Sequence, residues 1–157
     1  MSAIHLQFGK ATLAAAAFVY GCLGAPEDAH ATLGGDVASV AANQERLGGV
    51  RHVEMLATGE RHEIELPSGI VVREYVSPSG AVYAITWRGP RMPDLRELLG
   101  PYFAELSSRD ARGGNHRMIL TRADLVVRST GHRNSFTGRA WVPSLVPAGL
   151  NIDTALE

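Results

Sequence analysis

Cysteine occurs once in the 157 residues, as Cys22, lysine once, as Lys10, and aromatic side chains make up only 6% of the chain. A single thiol excludes an internal disulfide and a thiolate zinc cluster. Histidines His52, His62, His116 and His132 stand apart, with no His-x-x-x-His spacing among them, so no metal ligand set is marked and none is expected. There is no Gly-x-Ser-x-Gly elbow, which leaves Ser135 near His132 as turn chemistry and not as a nucleophile with its base. The Gly-Gly pairs are not followed by the strand-helix pattern of a phosphate loop. No catalytic residue, metal or cofactor is therefore expected, and Asp94 reads as a helix cap.

Long apolar runs are also missing. The longest, "ATLAAAAFVYGCLGA" at residues 11–25, would span roughly 22 Å as a helix, short of the roughly 30 Å hydrocarbon core. It follows Lys10 and precedes Ala29-His30-Ala31, the small-x-small pattern of a signal-peptidase site. The expectation is a signal peptide over residues 1–31, cleavage before Thr32, and a single domain over 32–157 that is periplasmic or secreted and has no transmembrane segment. "VYGC" offers a second route, lipid anchoring at Cys22, for which Tyr20 is an awkward fit. Once Lys10, Glu27 and Asp28 are removed, 14 arginines face 14 acids. That neutral balance excludes a whole-molecule nucleic-acid footprint. The distribution is uneven, since residues 109–139 hold seven arginines against Asp110 and Asp124.

The pattern of elements predicts an α+β domain: an antiparallel sheet with one main kinked helix, about 93–106, packed on one face. Residues 36–47 form a short helix, capped by Asp36 and stopped by Gly48-Gly49. Residues 50–57 and 61–66 are extended. "SGIVVREYVSPSGAVYAITWRG" is a hairpin around Pro78-Ser79-Gly80, with Ser77 facing Ala81. The expected register pairs Val76 with Val82, Tyr75 with Tyr83, Arg73 with Ile85 and Val71 with Trp87. The aromatic face of that register, Val71, Arg73, Tyr75, Tyr83, Ile85 and Trp87, is expected to be the core, because cross-strand aromatic pairs bury more than the smaller Val72, Val82 and Ala84 opposite.

In "PDLRELLGPYFAEL" the stripe Leu95, Leu98, Leu99, Tyr102, Phe103 and Leu106 has helical spacing, yet Gly100-Pro101 interrupts it. Proline there costs about 3 kcal/mol in a straight helix. Burying the stripe at roughly 1.5–3 kcal/mol per side chain outweighs that cost, so the helix is expected to continue with a kink. "HRMILT", "ADLVVRS" and "NSFTGRAWVP" read as further strands, and the tail as a short terminal turn.

"LPSGIVVREYVSPSGAVYAITWRGPRMPDLRELLGPYF" and "GHRNSFTGRAWVPSLVPAG", with Leu33-Gly34-Gly35 close behind the leader, resemble the exported bacterial family called domain of unknown function 2844. That family has no assigned activity, so the resemblance implies export and a fold but no catalytic or binding residue. The function expected is a non-enzymatic interaction or structural domain of the envelope. The alternatives are a small binding module for an anionic envelope glycan or lipid, and a hydrolase-type enzyme built from dispersed residues. If Phe136, Ala140 and Val142 point inward, Arg139 and Trp141 face out together, with Arg128 and His132 on the preceding strand and turn. Arg128, His132, Arg139 and Trp141 are thus the candidate binding residues for an anion, since arginine pairs with carboxylate or phosphate and stacks on rings.

Overall fold

The computed structural model describes residues 33–106 and 117–156. The leader and the polar loop with Gly113-Gly114 lie outside the described residues. Helix α1 (Val37–Leu47) starts where Asp36 Oδ1 accepts from the Ser39 N–H at 2.8 Å and stops at Gly48 in the left-handed region. Seven strands follow: β1 (Val50–Leu56), β2 (Gly59–Glu65), β3 (Val71–Val76), β4 (Val82–Gly89), β5 (Arg117–Thr121), β6 (Val126–His132) and β7 (Ser135–Trp141). They form one sheet in the order β1-β2-β3-β4-β7-β6-β5 with every pairing antiparallel. Two meanders thus meet at β4 and β7, and the connection between them carries the helices that cover the sheet. The architecture is α+β. Among the described residues no helix is long and apolar enough to cross a membrane.

The Gly-Pro segment bends where expected but more sharply than a kink. It divides into α2 (Leu95–Leu99), a 3-10 turn (Gly100–Tyr102) and α3 (Phe103–Leu106). Pro101 has no N–H to give the Glu97 carbonyl, and Gly100 takes φ +50, ψ −123, a backbone setting that relieves the ring clash and is open mainly to glycine. Asp94 Oδ1 caps α2 by accepting from the Arg96 N–H at 2.8 Å. The apolar stripe stays continuous across the break, with Leu95, Leu98, Leu99 and Leu106 all buried.

These leucines pack with Leu33 and Val40 onto one face of the sheet, here the inner face, against Ile64, Val72, Val76, Val82, Ile85, Trp87, Leu120, Val127 and Ala140. The opposite, outer face carries a second cluster of Tyr75, Tyr83, Ala84, Val126 and Trp141, covered by Leu150, Ile152 and Leu156 of the C-terminal tail. Helix α4 (Ile152–Ala155) lies in that tail.

The β3–β4 turn matches expectation: the Ser77 N–H donates to the Ala81 carbonyl at 2.9 Å and Val76 pairs with Val82. Beyond that pair the register differs. Tyr75 pairs with Ala84, Arg73 with Thr86 and Val72 with Trp87. Tyr83 is the extra residue of a β-bulge, which sends Tyr75, Tyr83 and Ala84 to the same side. Ile85 and Trp87 therefore reach the inner core as expected, whereas Tyr75 and Tyr83 belong to the outer cluster, their ring centroids 6.2 Å apart. Burial pushes the Tyr83 phenol above its ordinary pKa, opposed by a hydrogen bond with Thr58.

Candidate functional site

Alternation along the strands combined with the register places a set of arginines on the outer face. One cross-strand row runs Glu63, Arg73, Thr86, Arg139, Arg128, Ile119 from β2 to β5. The next runs Glu65, Val71, Arg88, Thr137, Thr130, Arg117. The C-terminal tail covers the outer face beside these rows and leaves the rows themselves as a groove of about 510 Å³, lined by Arg73, Arg88, Arg117, Arg128 and Arg139 and closed at one side by Leu156. Successive strands are about 4.8 Å apart, so an extended ligand lying across them would meet guanidinium groups over roughly 15–20 Å.

Arg128 and Arg139 are direct cross-strand partners, an arrangement that like-charge repulsion disfavours. Two neighbours offset it. Asp153 Oδ1, carried by α4, accepts from Arg139 Nη2 at 2.6 Å and from Arg128 Nη1 at 3.4 Å. Beneath them, the Trp141 ring lies 5.3 Å from the Arg128 guanidinium carbon and 5.7 Å from that of Arg139, within cation–π range. Trp141 itself is 7% exposed, so it supports the arginines from below and offers little ring face to a ligand. Asn151 caps α4 through its side-chain oxygen, 3.0 Å from the Asp153 N–H, and so orients the acid. At the other end of the same row Arg73 Nε donates to Glu63 Oε2 at 2.5 Å.

Of the four residues singled out from sequence, Arg128, Arg139 and Trp141 come together. His132 is at the far end of β6, paired with Ser135 and exposed, and does not line the groove. Sequence reasoning missed Arg73, Arg88 and Arg117. Arg117 belonged to the arginine-rich span already noticed, but Arg73 had been placed inward by the register that the bulge corrects. Among the described residues no group of three His, Cys, Asp or Glu side chains could hold a metal ion.

The family model described as "Protein of unknown function (DUF2844)" matches residues 29–155. The chain belongs to that family. No curated protein and no solved structure matches it. The residues that carry the resemblance have structural roles in this chain. Leu33 is fully buried, its N–H donating to the Leu98 carbonyl at 3.1 Å, while Gly34 N–H donates to the Val82 carbonyl at 2.9 Å. In Phe136-Thr137-Gly138-Arg139-Ala140-Trp141, Gly138 and Ala140 face the inner core, and Arg139 lines the groove with the Trp141 ring beneath it.

The groove's ion pairs also give the domain a pH dependence. The hydrogen bond from Arg73, opposed in part by burial, holds the Glu63 carboxyl below its ordinary value. A depressed carboxylate contributes stability that is present above the ordinary pKa of 4.5 and is lost as pH falls through the lower folded-state value. Thermal melts taken between about pH 3 and pH 6 should accordingly show a steeper acid limb in the unaltered chain than in Glu63→Gln. Parallel limbs would mean that the Arg73 pair adds nothing.

Proposed function

We propose that this DUF2844 protein is exported to the bacterial envelope, where it binds an extended anionic component in the arginine groove and carries out no chemistry on it. The observation that carries this reading is the lining of the groove. Five arginines line one sheet-wide depression; among the described residues its lining contains no Asp, Glu, His, Cys, Lys or Tyr side chain, and the nearby acids Asp153 and Glu63 are held by its arginines. Arginine stays protonated throughout the physiological range, so such a surface holds charge but cannot give and take a proton as an acid-base catalyst must. The walls between the charges are apolar: Val71, Ile119, Leu156 and the arginine stems. That combination suits an acidic polysaccharide, whose sugar faces are apolar and whose carboxylates recur along the chain. An anionic lipid headgroup is the second reading, supported by the same charges.

Export rests on the leader. A cut after Ala31 would leave the buried Leu33 inside the folded domain, while a cut before Cys22 would leave a ten-residue tether. N-terminal sequencing of the envelope-purified protein should begin at Thr32. A lipidated Cys22 would make it a lipoprotein, and an intact Met1 in the cytoplasm would refute export. For binding, the processed protein should retain polygalacturonate at about 50 mM salt and release most of it at about 200 mM, because exposed charge pairs are screened within roughly 10 Å. Vesicles with anionic lipid serve as the second arm. Binding to neither, or binding indifferent to salt, would remove the groove as a site.

A further inference from the structure

Among the described residues the exposed large apolar side chains are Val37 at 37%, Val50 at 61%, Val53 at 50% and Met55 at 73%. Three of the four belong to β1, the strand at one edge of the sheet. Its sequence, VRHVEML, is seven residues long and contains no proline, lysine or glycine, and its register with β2 runs without interruption from Val50–Glu65 to Leu56–Gly59. Of the devices that keep a sheet edge from pairing, β1 has only the charges of Arg51 and Glu54, and among the described residues no strand pairs with its free edge. We propose that β1 pairs antiparallel with β1 of a second copy of this chain, joining two sheets across a two-fold axis at Val53.

Backbone parity comes first. Leu56 and Gly59 close the two-residue turn between β1 and β2, and the pair flanking such a turn is hydrogen-bonded. Counting back, Val50, His52, Glu54 and Leu56 direct their N–H and C=O groups to β2, and Arg51, Val53 and Met55 direct theirs away from the sheet. A two-fold antiparallel pairing must then be centred on a residue and join outward groups to outward groups. Centring on His52 sets His52 against its own copy, and centring on Glu54 sets two carboxylates face to face, a repulsive contact. Centring on Val53 sets His52 against the second copy's Glu54, twice, and Val53 against Val53. Only that register also overlaps all seven residues, with Val50 against the second copy's Leu56 and Arg51 against its Met55. Charge and length therefore select the same alignment, and the pairing covers the three exposed apolar side chains.

Sedimentation of the processed protein at about 100 µM should give twice the mass of one chain. Val53→Pro removes an outward N–H that β2 does not use, so the chain should still fold and melt cooperatively while its mass falls to one chain. In a Cys22→Ser background Val53→Cys should oxidise to a disulfide-linked dimer. Arg51→Cys and Met55→Cys should each crosslink with the other when mixed and not with themselves, since the two positions face each other across the axis. A single-chain mass at about 100 µM, a dimer that survives Val53→Pro, or crosslinking of Arg51→Cys to itself would overturn the proposal.

Discussion

A Gly138→Ala chain should be about 1–3 kcal/mol less stable than the unaltered protein, with its melting temperature lowered by roughly 4 °C or more for each kcal/mol. Gly138 lies on β7 directly across from Trp87 on β4. A Cβ at that position would sit 2.3 Å from Trp87 Cζ2, 2.5 Å from its Cε2 and 2.9 Å from Ser129 Oγ. None of these can easily withdraw. Trp87 is 3% exposed and belongs to the inner core. Ser129 Oγ is engaged with the Thr137 carbonyl at 3.2 Å. The methyl must therefore push the indole out of its position or bend the strand, and close-packed interiors resist both. A circular-dichroism melt measures the cost, and an unchanged transition would mean that Trp87 repacks freely.

The same pair shows how far the sequence could be read. Alternation grouped Phe136, Gly138 and Ala140 on one face and Trp87 with Ile85 in the core; Ala140, Trp87 and Ile85 do join the inner cluster, and Gly138 is buried against Trp87, while Phe136 is only half-buried. Helix caps at Asp36 and Asp94, the stop at Gly48, and the turn at Pro78–Gly80 were legible because each depends on one local hydrogen bond or one backbone angle. The face of β3 was not legible. Choosing Tyr75 for the core left Glu74 to solvent, as the polar pattern recommends, yet Glu74 is fully buried on the inner face, where its strand partner is the equally enclosed His62. That a carboxylate and an imidazole are buried side by side follows from a cross-strand register that no window of residues reveals, the imidazole Nε2 itself pairing with Glu60 at 2.9 Å. The bulge at Tyr83 is likewise invisible, because an extra residue in one strand alters only the pairing. That slip turned Arg73 inward, and no pairing of β4 with β7 was legible that would set Arg88 beside Arg139 and Arg128. The sequence could show where arginine was abundant, but only the cross-strand register could show that the arginines share one face.

Substitutions at Asp153 and Arg139 should move anion binding in opposite directions. Asp153 shares its carboxylate between Arg139 and Arg128, so it occupies the two guanidiniums that an incoming carboxylate would use. Asp153→Asn keeps the shape and the α4 cap, because that bond is accepted from its N–H by Asn151, and removes the competing charge. Affinity for polygalacturonate should rise by about 10-fold, equivalent to about 1.4 kcal/mol, with a steeper dependence on salt. Arg139→Glu reverses a charge beside Arg128 and places a second acid next to Asp153, and affinity should fall by about 100-fold or more. The stability effects should not follow this order. Both changes break the 2.6 Å pair, so both should lower the melting temperature slightly, by the 1 kcal/mol or less typical of exposed ion pairs. Binding that follows stability, with both variants weakened alike, would mean that the pair only holds the C-terminal tail in place. Opposite shifts in affinity from variants of similar stability would assign the charge, and not the scaffold, to the ligand.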